Sequence, residues 1–547
     1  MLSSGASTSD ASRSGDASED DGRRDVSFAR AMAPVTAERL AALLGECTRV
    51  KGSDEPPPTD SVPPGYSHRR GWRPRTHGDF GEGGAFPEIQ LVQMPEGLGW
   101  DSKRFPDVTP IPVLDCSFAE LQTKAARSAL RLTGDGPGRG APRRATPEYD
   151  ALMAFLRTVR GTRALLSKGD GDDESDVFVD AIVRTFLDAH PNAREARRVT
   201  NVDPSSVARE FLGAGTSGAG EPAVVADGGR DWTDSAAWTT LDGLRNGPLR
   251  DRPARCNDRA PARHADAAED PRRVPGADVH GTKQRTCELP FREFLEYVER
   301  RPRFLNATGR GGAEALEDAA RADAPFYCNG WRAFESHHEE DGGADVEGVE
   351  DKTNDARVET AAEAFPPPYF TRACDATRVI ASEARRTLLE KLLPGRDHAR
   401  AARNAADALD ASLRKLFVGP AGTITRLHQD AGDAHGWLGQ VTGRKLFLLC
   451  PPGDAPFMRS IPGEKETAQS FVDPFDFSSE ARRTNAAFWE RASPVVLVLR
   501  PGEVVLVPRG WWHYAAALDP SVTAMKNFYD AETNLEALAR VAARLRR

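Results

Sequence analysis

The segment TRLHQD carries a histidine and an aspartate two positions apart, His428 and Asp430. On a β-strand, residues i and i+2 point to the same face, so the two side chains would lie together. One imidazole and one carboxylate supply two of the three ligands of the facial triad that binds non-haem Fe(II) and leaves coordination positions open. Such triplets also arise by chance as polar residues on a solvated strand, so the metal hypothesis needs a third ligand.

The candidate third ligand is His513 in PRGWWHYAAALD. It follows PGEVVLVP, a strand–turn–strand pattern that can return the chain across a barrel to the first pair. We therefore predict that the two histidines and Asp430 form one metal site.

A lysine adjoins an apolar run on the next predicted strand. Lys445 precedes LFLL, where a lysine is costly unless an anion pairs with it, and a bound dicarboxylate would be such an anion. Thr425 precedes His428 by three positions and would point to the opposite face of an ideal strand. A bend or bulge is required for its hydroxyl to contribute.

Three other histidines and one cysteine have simpler interpretations. We expect His435, in the loop AGDAH, to be exposed and not a ligand. His337 and His338 lie in an acidic run and are expected to be solvated. Cys450 ends an apolar strand and is expected to be a small buried apolar residue.

Three tryptophans surround the predicted metal site. At least one of Trp511 and Trp512 is expected to pack in the core beside the metal, and Trp512 is also a candidate for the pocket wall. Trp437 has two open interpretations, a pocket wall and a plain core position.

The elements that must position these residues are strands. After residue 412 the pattern changes to short runs rich in Val, Leu, Phe and Thr, punctuated by Gly and Pro: LRKLFVGP, TITRLHQD, GRKLFLLCPP, PVVLVLRPGEVVLVPRGWWHYAAAL and SVTAMKNFYD. Several such strands in sequence predict a β-sandwich or barrel, most naturally a jelly roll. With helices flanking this mainly β core, the overall class is α+β.

The rest of the chain divides by composition. Residues 1–83 hold too few apolar anchors to fold and are predicted to be a disordered tail, while 84–204 show helical periodicity. Within residues 205–530, insertions are predicted near 251–285 and 335–360, and an amphipathic helix is predicted at 289–302. Residues 531–547 form a predicted C-terminal helix whose apolar stripe covers either the barrel or a partner subunit.

Length and composition exclude several classes of protein. At 547 residues the chain exceeds the roughly 250 to 300 residues at which single cores stop growing. Seven scattered cysteines without a C-x-x-C pair indicate neither a disulfide framework nor a zinc finger, and a net charge of -9 gives no case for nucleic-acid binding. Since no membrane-spanning run or secretion signal is present, we expect an intracellular protein of the nucleus or cytoplasm; acidic residues near the N-terminus argue against an organelle transit peptide.

Five segments between about residues 205 and 530 carry a family pattern: EPAVVADGGRDWTDSAAW, FYCNGW, FPPPYF, GTITRLHQDAGDAHGWLGQVTGRKLFLLCPP and LRPGEVVLVPRGWWHYAAALDPSVTAMKNF. Together they resemble the JmjC (Jumonji C) family of Fe(II)- and 2-oxoglutarate-dependent oxygenases, whose core is a cupin-like double-stranded β-helix. The spacings from His428 through Trp437 to Lys445, and from GWWH through LD to NF, are most similar to the small JmjC protein hydroxylases of the arginine demethylase and lysyl hydroxylase branch.

The resemblance implies a cosubstrate site beside an Fe(II) ion held by the three predicted ligands. Lys445 and Thr425 would bind the distal carboxylate of 2-oxoglutarate, and Tyr327 of FYCNGW would hydrogen-bond it from the side. Asn527 of KNF would lie near the metal-side end. Leu438 stands where many relatives have asparagine, so one cosubstrate contact differs, and the two insertions also depart from the compact relatives.

The implied reaction consumes O₂, converts 2-oxoglutarate to succinate and CO₂, and hydroxylates a side chain of a protein or peptide, with lysyl favoured by analogy. Oxidation of an N-methyl carbon would instead demethylate a histone or another protein. A cupin-fold scaffold without turnover is a third alternative, disfavoured by the complete triad and the buried lysine. No catalytic residue beyond the metal ligands is predicted, and a homo-oligomer could form through the C-terminal helix.

Overall fold

A computed structural model describes residues 147–166, 174–216, 218–232, 236–258, 285–301, 325–334, 364–395, 397–460 and 468–538. Their strands are Arg194–Glu195 (β1), Arg197–Val199 (β2), Ala223–Val225 (β3), Pro253–Asp258 (β4), Arg285–Pro290 (β5), Phe326–Trp331 (β6), Arg414–Gly419 (β7), Ile424–His428 (β8), His435–Thr442 (β9), Lys445–Cys450 (β10), Val495–Leu499 (β11), Val504–Val507 (β12), Trp512–Ala517 (β13) and Ser521–Phe528 (β14). Their helices are Pro147–Leu166 (α1), Glu174–Ala189 (α2), Val207–Glu210 (α3), Ala236–Thr239 (α4), Leu241–Asn246 (α5), Phe291–Arg300 (α6), Thr377–Leu392 (α7), Ala399–Leu413 (α8), Ser479–Thr484 (α9) and Ala486–Arg491 (α10). The predicted tail, His337 and His338 lie outside the described residues.

Two sheets pack face to face as a jelly roll. The five-stranded sheet has the order β1-β11-β10-β13-β8, and the nine-stranded sheet has the order β2-β3-β12-β9-β14-β7-β6-β4-β5. Their inner faces share one apolar cluster, in which Phe447 and Leu497 of the first sheet meet Leu438 and Met525 of the second. The prediction of a mainly β core with flanking helices is confirmed.

The central strands read as unbroken apolar runs because both of their faces are covered. In β11, VVLVL, all five residues are buried. Alternate residues enter different clusters: Leu497 packs between the sheets, whereas Val496 and Val498 pack with α1 and α2 on the outside. Helices therefore cover the five-stranded sheet, and α6 covers the nine-stranded sheet in the same way through Phe291 and Phe294.

Two regions differ from the sequence-based predictions. The segment 84–204 was expected to be helical, but residues 194–199 form the edge strands β1 and β2, which pair in parallel with β11 and β3. The insertion near 251–285 was expected to be a loop, yet β4 and β5 at its two ends pair with each other in antiparallel register. In both places strand pairing with distant parts of the chain overrides the local pattern.

The start of the C-terminal segment packs within the chain. Leu535 and Leu538 are buried in a cluster that includes Ile380 of α7 and Leu409 of α8. The rest of the predicted apolar stripe lies outside the described residues, and oligomerisation through it stays a prediction. Among the described helices, none combines the length and the apolar character that crossing a bilayer demands.

Candidate metal centre

Two neighbouring strands bring the predicted ligands together. His513 of β13 lies directly opposite His428 at the end of β8, and Asp430 follows two residues later. The Nε2 atom of each histidine is 3.8 Å from Asp430 Oδ1, and the three ligand atoms all lie within 4.8 Å of one another. Two imidazole nitrogens and one carboxylate oxygen at this spacing fit a divalent transition metal such as Fe(II).

Backbone carbonyls select which ring nitrogen of each histidine faces the site. His428 Nδ1 is 2.7 Å from the carbonyl oxygen of Arg426, and His513 Nδ1 is 3.3 Å from that of Trp511. With Nδ1–H donating to these carbonyls, Nε2 of each ring presents its lone pair toward Asp430. The two rings lie against each other with centroids 4.1 Å apart, and this orientation lets both serve as ligands through Nε2.

Asp430 is held as a carboxylate. Its Oδ2 accepts a hydrogen bond of 2.9 Å from Asn527 Nδ2, which leaves Oδ1 facing the histidines. Burial alone would raise the pKa of Asp430, but the electrostatic influence of His513, His428 and Lys415, together with the hydrogen bond from the Asn527 amide, outweighs burial and lowers that pKa. An ionised oxygen therefore faces the two imidazoles.

A β-bulge turns Thr425 toward the pocket. His428 pairs with His513, whereas Thr425 pairs with Ala515, so three steps along β8 match two steps along β13. The extra residue in β8 brings Thr425 to the same face as His428. This is the bulge that is needed for the Thr425 hydroxyl to contribute to the pocket. That hydroxyl lies 3.3 Å from Tyr327 Oη.

Lys445 is buried deeper in the same barrel. The residue is 1% exposed, and its Nζ donates to Tyr327 Oη at 3.1 Å and to Thr523 Oγ1 at 3.0 Å. Within the described part of the chain no carboxylate contacts this ammonium, and burial lowers its pKa to about 7. Since two of its three N–H groups are engaged, one is left for an anionic ligand.

The affinity of this pocket for a dicarboxylate such as 2-oxoglutarate is expected to depend on pH through Lys445. Its pKa of about 7 means that the ammonium, the form that attracts a carboxylate, is lost as pH rises through 7. Affinity should be constant below pH 7 and fall by up to about tenfold per unit above it. Calorimetric titration of the Mn(II)-loaded protein between pH 6 and 9 measures this, and a flat wild-type profile would contradict it. In Lys445→Met the decline should disappear.

Three further residues of this pocket, Asn329, Gln440 and Thr523, are not among those predicted from the sequence motifs. Asn329 Oδ1 accepts from the Thr425 hydroxyl at 3.0 Å, and Thr523 donates to Gln440 Oε1 at 2.9 Å. A signal for each of them existed, because Asn329 lies two positions after Tyr327 and Thr523 lies four before Asn527, each on the same strand face. Gln440 follows Leu438 by the same rule.

Trp437 and Trp512 lie on the outer faces of their strands. Trp437 packs with Leu506 under the helices of the nine-stranded sheet, and Trp512 packs with Tyr514 on the outside of the five-stranded sheet. Trp437 therefore takes the core position, one of its two predicted alternatives, and Trp512 packs outside the pocket and does not form its wall, because alternation turns their neighbours inward instead. Trp511 packs in the cluster between the sheets, so the prediction that at least one of the paired tryptophans is in the core is confirmed. Cys450 is also buried, as predicted.

His435 is buried and starts β9, so the prediction of an exposed loop residue is wrong. Its Nε2 is 2.7 Å from the hydroxyl of Thr533, and its Nδ1 accepts from the backbone N–H of Arg509 at 3.0 Å. Burial, with a further effect of the nearby Arg509 charge, lowers the pKa of His435 to about 3. It is a neutral structural residue that joins the C-terminal segment to the barrel, and not a ligand.

Acid is expected to destabilise the protein through His435. Its pKa is about 3 in the fold and 6.5 ordinarily, so the unfolded chain binds a proton between these values that the folded chain excludes. The free energy of unfolding should therefore fall with decreasing pH, by up to about 1.4 kcal/mol per unit. Urea denaturation of wild type and His435→Gln at pH 7, 6, 5 and 4 should show a shallower decline in the variant; equal slopes would exclude this role.

Comparison with known proteins gives a family and several partial relatives. The family model described as "Cupin-like domain" matches residues 208–534, more than half of the chain. The chain is 30% identical over 115 residues to "2-oxoglutarate and iron-dependent oxygenase JMJD4" of Danio rerio, covering 21% of this chain and 26% of that protein. It is 33% identical over 128 residues to "HSPB1-associated protein 1" of Rattus norvegicus, covering 23% and 25%.

A third relative carries a different activity in its name. The chain is 30% identical over 129 residues to "Arginine-specific demethylase JMJ22" of Arabidopsis thaliana, covering 22% of this chain and 24% of that protein. Each match spans about a quarter of the relative's length.

Proposed function

Since the chain belongs to the cupin-like domain family, we propose that it is an Fe(II)- and 2-oxoglutarate-dependent oxygenase that hydroxylates a side chain of a protein substrate. The observation that carries the proposal is the convergence of His428, Asp430 and His513 on the inner face of the barrel. The resemblance to JmjC oxygenases is confirmed at family level by this match and by the relatives named above.

The three converging side chains would hold the iron. When bound, the iron and 2-oxoglutarate together supply the activation of O₂, with succinate and CO₂ as products. Two carbonyl-oriented imidazoles and an ionised carboxylate suit this metal, and the Asn527 amide keeps the carboxylate from rotating away. The protein's own contribution is to position these donors before any ligand arrives.

The deeper half of the pocket would hold the cosubstrate. Lys445 would pair with the distal carboxylate of 2-oxoglutarate through its remaining N–H. The hydroxyls of Tyr327, Thr523 and Thr425 line the same space and are already linked by hydrogen bonds. Such a prearranged set reduces the ordering cost of binding.

The substrate is proposed to be a protein or peptide, with a lysyl side chain favoured. The relatives named above include an oxygenase, an arginine-specific demethylase and a protein named for its association with HSPB1. Demethylation is the second candidate, supported by the demethylase among these relatives. A scaffold without turnover is disfavoured because the complete donor set and the buried Lys445, which contacts no carboxylate among the described residues, would both be costly to keep for packing alone.

Mass spectrometry of a peptide library distinguishes these functions. Incubation with Fe(II), 2-oxoglutarate, ascorbate and O₂ should add one oxygen to a lysyl peptide with matching succinate release. Loss of one methylene with formaldehyde release would instead identify a demethylase. If wild type binds neither metal nor 2-oxoglutarate, the oxygenase proposal fails and the scaffold alternative takes its place.

A further inference from the structure

A second lysine lies on the pocket-facing side of β7. Phe417 of that strand packs against the apolar cluster between the sheets, and its ring centroid is 5.4 Å from Lys445 Nζ. Lys415 precedes Phe417 by two positions and therefore belongs to the same strand face. The barrel thus carries one lysine deep in the pocket and another closer to its edge.

Contacts of Lys415 place its ammonium at the metal end. Nζ donates to Asn527 Oδ1 at 3.4 Å, and the same amide donates to Asp430 at 2.9 Å. Its aliphatic stem lies over Gly330, where an added Cβ would be 3.5 Å from Lys415 Cδ. Gly330 has a positive φ at the bulge in β6, a backbone conformation that favours glycine, so this part of the wall carries no side chain.

Lys415 is the polar residue in a row of three paired residues that crosses the nine-stranded sheet. In the nine-stranded sheet Met525 pairs with Leu438 on one side and with Lys415 on the other. Leu438 and Met525 are buried and apolar and offer no hydrogen bond to a ligand on this face. Within this row Lys415 is therefore the residue with a side-chain donor, and it lies beside the Asn527 amide.

We infer that Lys415 binds the metal-side carboxylate of 2-oxoglutarate, complementing Lys445 at the distal end; this inference rests on the proposed function. A chelating 2-oxo acid has a carboxylate oxygen that points away from the metal, and burying it without a donor is costly. The Lys415 ammonium, beside Asn527 and Asp430, supplies that donor, because the other two residues of the row are apolar. Lys415 is then specific for the 2-oxo acid end, and Lys445 for the distal end.

Binding measurements with two ligands and three variants distinguish a role of Lys415 at the metal-side carboxylate from a role of Lys445 at the distal carboxylate. Calorimetric titration of the Mn(II)-loaded full chain would use 2-oxoglutarate and 2-oxopentanoate, which keeps the 2-oxo acid and lacks the distal carboxylate. Lys415→Met should weaken both ligands by a similar factor, about tenfold for a lost charged hydrogen bond. Lys445→Met should weaken 2-oxoglutarate alone. Lys415→Arg, which keeps the charge, should stay nearer wild type than Lys415→Met.

Each other outcome overturns the inference in a different way. Unchanged affinity for both ligands in Lys415→Met excludes a cosubstrate role, and a raised KM for peptide substrate would then assign the lysine to the substrate. Weaker Mn(II) binding measured without ligand would mean that Lys415 acts through Asp430. If wild type binds 2-oxoglutarate in a Lys445-dependent way and Lys415 is neutral, only this inference fails. If wild type binds no 2-oxoglutarate, the proposed function itself fails.

Discussion

Replacing Asp430 with alanine is expected to abolish succinate formation from 2-oxoglutarate. The substitution removes the carboxylate whose Oδ1 lies 3.8 Å from both His428 Nε2 and His513 Nε2. Loss of a partner that merely orients a ligand costs about 10- to 100-fold in metal affinity or activity, so loss of the ligand itself should cost at least about 100-fold. The measurement is uncoupled succinate release with Fe(II), ascorbate and O₂, together with Mn(II) binding.

Asp433→Ala provides the matched control. Asp433 lies three residues further along, is a half-exposed carboxylate and pairs with Arg509 at 3.0 Å. It should retain turnover and metal binding, since a surface ion pair contributes little. Equal activity of Asp430→Ala and Asp433→Ala would mean that the metal is held elsewhere or that turnover does not need it.

The second large effect is expected from Lys445→Met. Truncating one member of a buried charged pair costs about 2 to 5 kcal/mol, so 2-oxoglutarate should bind roughly 30-fold more weakly or worse. The ligand-free variant should nevertheless unfold at a higher temperature than wild type, because a desolvated ammonium that no carboxylate of the described segments contacts is replaced by an apolar side chain of similar length. Loss of binding together with a gain in stability is the signature of a ligand-binding lysine.

Lys526→Met tests this reasoning on the opposite case. Lys526 is also buried, but its ammonium lies between the carboxylates of Asp375 and Asp410. Removing it leaves two carboxylates without their shared cation, which should destabilise the fold by about 3 to 5 kcal/mol. Thermal unfolding of both variants with and without 2-oxoglutarate separates the roles. If Lys445→Met is destabilised as much as Lys526→Met, Lys445 is structural.

Much of the metal centre was predictable because its rules are local. A histidine and an aspartate two positions apart share a strand face whatever the rest of the chain does. A lysine next to an apolar run indicates a buried cation, because the run itself is expected to be buried, and the structure buries Lys445. The family pattern, spread over several strands, added the jelly roll that the individual strands could only suggest.

Other features depended on pairing between distant strands. Thr425 faces the pocket only because a bulge against β13 shifts its register, and the edge strands β1 and β2 exist only because β11 and β3 lie beside them. His435 looked like a loop residue because its neighbours are small and polar. In the fold its ring is hydrogen-bonded by Thr533 and by the backbone of Arg509, which come from far along the chain.

The sequence by itself determined the ligand types, their shared strand face and the buried cation. The tertiary structure alone decided that His428 lies opposite His513, that Trp437 and Trp512 turn outward, and that Lys415 reaches the metal end. The physical reason is that alternation is a property of one strand, whereas register is a property of two. Strand pairing depends on the packing of the whole barrel, which no single segment specifies.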